Sequence, residues 1–274
     1  MRKNFYIKTF GCQMNVYDSQ KIFDLMAADG YSCVHDLNDA DVIILNTCYI
    51  REKASEKIFS ELGRIKALLQ KSVSGFSNSR ESGRPIFIIT GCVAKAEGEN
   101  IFKRIPYVDA ILSSSEYYLM LDIIQKLQKN PDEKISYLNL TGTKKFDYLV
   151  DVKSSSNDYS AFVAVQEGCD NFCTYCVVPN TRGREVSRNF ESVLDEVRSL
   201  NNGKTVEITL LGQNVSSYNG VDTNNVQKNL ADLLREIDAM DFVKRIRYIT
   251  SYPTKLSDDL IALHASSKKM MPLF

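Results

Sequence analysis

Short apolar runs alternate with amphipathic stretches along this chain of 274 residues, and that alternation limits it to parallel α/β architectures. "FYIKTF" (5–10), "DVIILNT" (41–47), "PIFIIT" (85–90) and "VDAILSS" (108–114) read as strands. The stretch 17–30 reads as a helix with Ile22, Phe23, Leu25 and Met26 on one stripe and Gly30 as its stop. A second helix over 51–71 carries Ile58, Leu62, Ile65 and Leu69 at helical spacing, and the Ser/Gly-rich stretch 72–85 reads as an exposed loop. Between about 130 and 159 the periodicity weakens, which sets a domain boundary dividing 1–150 from 151–274. A second α/β pattern follows, with strands at 160–168, 204–212 and 243–251 and helices at 191–203, 228–240 and 257–266. "KKMMPLF" at the end looks like half of another strand, which would leave a sheet edge and an apolar face uncovered.

Lys plus Arg (34) balance Asp plus Glu (34), so a surface for a polyanion must be a local patch. No apolar run has the length of a signal peptide or a membrane span. Seven cysteines, an odd number without a compact disulfide framework, favour reduced thiols in the cytosol serving metal or redox chemistry.

Cys12 ends "YIKTFGC", Cys48 ends "VIILNTC" and Cys92 ends "IFIITGC". In an open parallel sheet the carboxyl ends of the strands share one edge, so three cysteines distant in sequence converge at one mouth. The alternative is that each simply finishes a strand as a small hydrophobe. Cys33 has no such position and reads as a core residue. The remaining three, Cys169, Cys173 and Cys176, lie within nine residues, "GCDNFCTYC". Structural zinc is closed by four ligands, and neither histidine, His35 or His264, is near enough in sequence to supply the fourth. Ferredoxin-type runs carry four cysteines at other spacings. Three thiolates on a four-iron cluster leave one iron open to a reacting ligand.

The Cys-x-x-x-Cys-x-x-Cys run after the first strand of the second α/β pattern resembles the signature that radical S-adenosylmethionine (SAM) enzymes carry after the first strand of a parallel barrel. That resemblance implies SAM as the ligand of the open iron, reductive cleavage of its carbon–sulfur bond, and a 5′-deoxyadenosyl radical that abstracts hydrogen from the substrate. "TFGCQMNVYDSQ" (9–20), "LNTCYIREKASEK" (46–57), "GCVAKAEGE" (91–99), "VVPNTRGREVSR" (177–188) and "LLGQNVSSY" (211–218) resemble the methylthiotransferases. Gln13, Met14 and Asn15 make the chain most similar to the MiaB type, which acts on dimethylallyladenosine beside the tRNA anticodon. Siblings act on threonylcarbamoyladenosine in tRNA or on an aspartate of a ribosomal protein. A non-catalytic iron–sulfur or zinc module is the alternative from another class.

Under this resemblance the fold is an N-terminal open parallel, Rossmann-like α/β domain followed by an incomplete (β/α) radical SAM barrel. Cys12, Cys48 and Cys92 would hold an auxiliary [4Fe–4S] cluster, and Cys169, Cys173 and Cys176 the radical-generating one. Tyr175 matches the position packing near the adenine of SAM, and Gln213 and Asn214 the end of the second barrel strand, where the SAM amino group is contacted. Implied partners are the tRNA anticodon arm and an electron donor such as flavodoxin or ferredoxin, with no membrane and a cytoplasmic setting. Arg182, Arg184 and Arg188 read either as phosphate contacts to that arm or as ordinary charges on a solvated loop. The family's chains continue through the rest of the barrel to a small RNA-binding TRAM domain, so a chain ending at Phe274 is expected to turn over tRNA weakly or not at all.

Overall fold

A computed structural model describes residues 3–49, 52–72, 83–140, 144–148 and 158–271. The proposed boundary at 150, most of the 72–85 loop and the last three residues of "KKMMPLF" lie outside them.

The first half is built from β1 (Asn4–Thr9), α1 (Gln13–Ala28), β2 (Ser32–Cys33), β3 (Val42–Thr47), α2 (Glu52–Ser72), β4 (Ile86–Gly91), α3 (Cys92–Glu97), α4 (Asn100–Arg104), β5 (Ala110–Leu112), α5 (Met120–Lys129) and β6 (Ile135–Tyr137). Its six strands form one sheet in the order β2-β1-β3-β4-β5-β6, and every neighbouring pair is parallel. Every residue of β3 and β4 is buried, because helices cover both faces of such a sheet. Alternation along the strands feeds two cores. Val42, Ile44, Ile86 and Ile88 meet Ile22 and Met26 of α1 and Ile123, Ile124 and Leu127 of α5 on one face. Ile43, Leu45, Phe87 and Ile89 meet the α2 stripe Ile58, Leu62, Ile65 and Leu69 on the other.

The sequence reading missed the short edge strands β2 and β6, whose two or three residues carry too little pattern to register. Cys33 sits on edge strand β2 and is only partly buried, packed against the first of those cores rather than enclosed by it. The 130–159 stretch is also more structured than its polarity suggested, since it holds β6 and the helix α6 (Lys144–Tyr148).

The second half contains β7 (Ser160–Ala164), β8 (Gln166–Glu167), α7 (Val178–Thr181), β9 (Val186–Ser187), α8 (Phe190–Ser199), β10 (Glu207–Leu211), β11 (Asn219–Val221), β12 (Gln227–Asn229), α9 (Leu230–Asp238), β13 (Arg245–Tyr248) and α10 (Asp258–Ser266). β13-β10-β7 form a parallel sheet, with α8 and α9 as the crossovers. Their apolar faces join the strands in one core that includes Val163, Leu194, Ile208, Leu234 and Ile246. The run 160–168 divides at Val165 into β7 and β8, and β8 pairs antiparallel with β9. A hairpin of β11 and β12 was likewise not anticipated. Beyond α10 the chain returns to the sheet, where Met270 makes a parallel bridge to Ile246, the start of the expected fourth strand. Among the described residues, no helix is long and apolar enough to cross a membrane.

The halves dock through α1. Met14 and Tyr17 on that helix pack with Phe146 of α6, Ala164 of β7 and Leu211 of β10. This second contact face explains why α1 buries Asp18 and Lys21 as well as its apolar stripe.

Candidate functional site

Cys12 stands at the start of α1, Cys48 directly after β3, and Cys92 at the start of α3. β1, β3 and β4 are adjacent and parallel, so all three thiols stand at the carboxyl ends of neighbouring strands. The backbone just before Cys12 runs too close to Cys48 for a side chain to fit between them. A Cβ built on Gly11 would lie 2.2 Å from Cys48 Cβ, and Gly11 also holds a φ of +124°. Two buried asparagines fix the strand ends. Asn15 Nδ2 donates to Asn46 Oδ1 (3.0 Å) and to the Thr47 carbonyl (2.9 Å), while Asn46 Nδ2 donates to the Asn15 carbonyl (2.9 Å) and to Ser19 Oγ (2.9 Å). Asn15 Oδ1 also accepts from Cys12 Sγ at 3.3 Å. A hydrogen bond with Cys48, helped by the backbone amide of Asn15 and the Arg182 charge against the cost of burial, pulls the Cys12 thiol down to about 6.

The second set of thiols sits on the loop between β8 and α7. Gln166 pins this loop: its Nε2 donates to the Gly168 carbonyl (2.5 Å), and its Oε1 accepts from the Gln213 and Asn214 amides (2.9 and 3.1 Å). Gln213 Oε1 in turn accepts from the Gly168 amide at 2.6 Å. Burial raises the Cys169 thiol above its ordinary value.

Cys169, Cys173 and Cys176 open onto a cavity of about 320 Å³ that Cys12, Gln13 and Met14 line from the other half. Gly212, Gln213 and Asn214 after β10, and Ile249 to Tyr252 after β13, complete its wall. Tyr175 lines the same cavity and is 90% exposed at its rim. Asn214 is buried, and its Oδ1 is engaged by Ser216 Oγ (3.0 Å) and the Tyr252 amide (3.2 Å). Thus four of the six motif cysteines and all three residues expected near SAM line one space, with Cys48 and Cys92 buried at the neighbouring strand ends.

Both sequence readings of Arg182 and Arg188 are corrected. Neither side chain is a phosphate contact or a solvated charge, because both are buried in ion pairs. Arg182 pairs with Glu167 (2.9 Å) and Asp18 (3.0 Å). Lys145 pairs with the same two acids at 2.5 and 3.3 Å. Arg188 and Lys21 share Glu196 across the α1–α8 contact, the lysine at 2.8 Å. Only Arg184 of the three arginines is exposed, beside Asp170 at 3.5 Å. The acids Asp18, Glu167 and Glu196 and the lysines Lys21 and Lys145 were missed because no spacing in sequence reveals that they share a site. Among the described residues no three His, Cys, Asp or Glu side chains converge tightly enough to hold a single metal ion.

Residues 4–113 match the family described as "Uncharacterized protein family UPF0004", and residues 163–268 match the radical SAM superfamily. A tRNA-2-methylthio-N(6)-dimethylallyladenosine synthase from Orientia tsutsugamushi (strain Boryong) is 47% identical over 272 residues, covering 99% of this chain and 59% of the relative. The protein of that name from Rickettsia akari (strain Hartford) is also 47% identical, over 99% of this chain and 60% of its own. The chain therefore spans about three fifths of the length of these relatives. Two solved structures of the radical S-adenosylmethionine methyltransferase TsrM from Kitasatospora setae share the fold. One, with tryptophan and a SAM analogue bound, has a TM-score of 0.60 at 10% identity and covers 96% of this chain and 57% of that one. The other, with cobalamin and a [4Fe-4S] cluster bound, has a TM-score of 0.62 at 11% identity, over 97% and 59%.

Proposed function

Since the chain belongs to the radical SAM methylthiotransferases, we propose that it serves the methylthiolation of N6-dimethylallyladenosine beside the tRNA anticodon. In this reading Cys169, Cys173 and Cys176 hold one [4Fe–4S] cluster, and Cys12, Cys48 and Cys92 hold a second. The observation that carries it is the shared cavity: thiols of both sets face one volume, where a base could meet both. The donor chemistry fits. Thiolate-only sets suit iron–sulfur clusters, and a four-iron cluster needs its thiols spread around it rather than gathered on one point. When bound, the clusters and SAM supply the reductive cleavage of a carbon–sulfur bond and the sulfur to be transferred.

The chain's own residues prepare this space. Gln166 and Gln213 clamp the loop that carries the second thiol set. Asn15 and Asn46 lock the strand ends that carry the first. Tyr175, Gln213 and Asn214 line the cavity and are the proposed contacts for SAM. Residues 1–150 form the domain with the strand-end site and 151–274 the radical SAM portion. The electron donor is a flavodoxin or ferredoxin, and the setting is the cytoplasm.

The decisive experiment is iron and sulfide analysis after anaerobic reconstitution of this chain and of its Cys12→Ala/Cys48→Ala/Cys92→Ala variant. The variant is expected to lose half the iron, and unchanged iron refutes the two-cluster reading. Formation of 5′-deoxyadenosine on reduction with SAM separates an enzyme from a binding module. Assays with dimethylallylated tRNA, threonylcarbamoylated tRNA and the ribosomal protein then fix the substrate.

A further inference from the structure

We propose that Arg182 is a positioning residue for the strand-end cysteine site: it ties that site to the loop site and supplies the cation that raises the reduction potential of the iron–sulfur group held there. The inference rests on the two-cluster reading above. Arg182 follows the cysteine loop, Asp18 follows Cys12 on α1, and Glu167 precedes Cys169, so one guanidinium links the chain segments that carry both thiol sets. Its side chain is 3% exposed, and those of Asp18 and Glu167 are 2% and 0%.

Arg182 Nη1 donates to Glu167 Oε1 at 2.9 Å, which commits one side of the fork. Nη2 lies 3.0 Å from Asp18 Oδ2 but out of hydrogen-bond alignment, so this buried donor has no hydrogen-bond partner. A buried N–H of this kind calls for an acceptor. The electrostatic neighbours of the guanidinium include Cys92 and Cys12 as well as the two acids. Lys145 pairs with the same two acids, so the arginine does not have to neutralise both carboxylates alone. A cation beside a buried cluster stabilises its more negative, reduced state.

The test uses the full chain with Cys169, Cys173 and Cys176 replaced by Ala, so that any cluster present belongs to the strand-end site. Redox titration followed by electron paramagnetic resonance compares this background with added Arg182→Gln or Asp18→Asn. Loss of the cation is expected to lower the midpoint potential, and loss of the neighbouring anion to raise it. Opposite signs are the signature of charge, whereas damage to the fold would displace both variants the same way. Retained iron with an unmoved midpoint in R182Q, or shifts of the same sign in both variants, overturns the proposal alone. If R182Q binds no iron, a rise in D18N supports the proposal and any other result overturns it. A background that binds no iron overturns the two-cluster reading and this inference with it.

Discussion

Replacing Lys145 with Met removes one cation from a sealed group of four charges. Its Nζ lies 2.5 Å from Glu167 Oε2 and 3.3 Å from Asp18 Oδ1, and donates to the Ser114 carbonyl at 3.4 Å. All of these side chains are buried, so the loss leaves Asp18 and Glu167 to share Arg182 alone, with a net negative charge out of reach of water. Met keeps most of the volume, so the cost is electrostatic rather than that of a cavity. Breaking a buried pair by removing one partner costs about 3–5 kcal/mol. That is a large part of the roughly 5–15 kcal/mol that holds a typical domain, and it lowers the folded-to-unfolded ratio by about two to four powers of ten. Lys144 is the natural control, being next in sequence but exposed. Lys144→Met is expected to stay within about 0.5 kcal/mol of the parent. Urea unfolding followed by circular dichroism compares the two. A K145M variant within about 1 kcal/mol of K144M would refute the buried charge cluster as described.

In metal-free protein, alkylation of Cys12 should rise with an inflection near pH 6, where its thiol ionises. Alkylation of Cys33, whose thiol burial pushes up, should rise only above the usual thiol range, and mass spectrometry of the labelled peptides separates them. Gly168→Ala would place a Cβ 1.9 Å from the Arg184 carbonyl oxygen at a φ of +76°, so the cysteine loop must move. Strain plus overlap should destabilise by about 2 kcal/mol or more and reduce reconstituted iron, whereas Gly203→Ala, with open space around it, should keep the iron. For Glu196, burial opposes ionisation but Arg188 and Lys21 outweigh it, so its folded pKa lies below the ordinary glutamate value. Its contribution to stability is therefore present above that ordinary value and lost as pH falls through the lowered one, and Glu196→Gln should show a shallower acid decline in unfolding free energy.

Elements with a complete periodic pattern were legible in the sequence. β3 and β4 are six-residue strands, apolar over their first four residues and buried throughout, and the α2 stripe falls at helical spacing, so pattern and packing coincide. The cysteine positions were legible for the same reason, because each follows a strand whose direction the alternation already fixes. Short elements such as β2, β8 and β9 exist only through their partners, which sequence periodicity does not show. Charges were the least legible. Arg182 and Arg184 stand two residues apart in one motif, yet one is sealed against Asp18 and Glu167 and the other faces water. Lys145 lies in the stretch read as a domain boundary, and it is the docking of α6 against α1 and Glu167 that encloses it.

The buried ion pairs between α1 and the second half have a bearing on how freely the two halves can part. Two-part enzymes commonly admit their substrates by swinging open, but here such a swing would strip Asp18, Lys21, Arg182 and Glu196 of their partners in the dry. The ion pairs thus act as a hasp across the two halves, and Tyr175 and Tyr252 stand exposed on the rim of the cavity beside them.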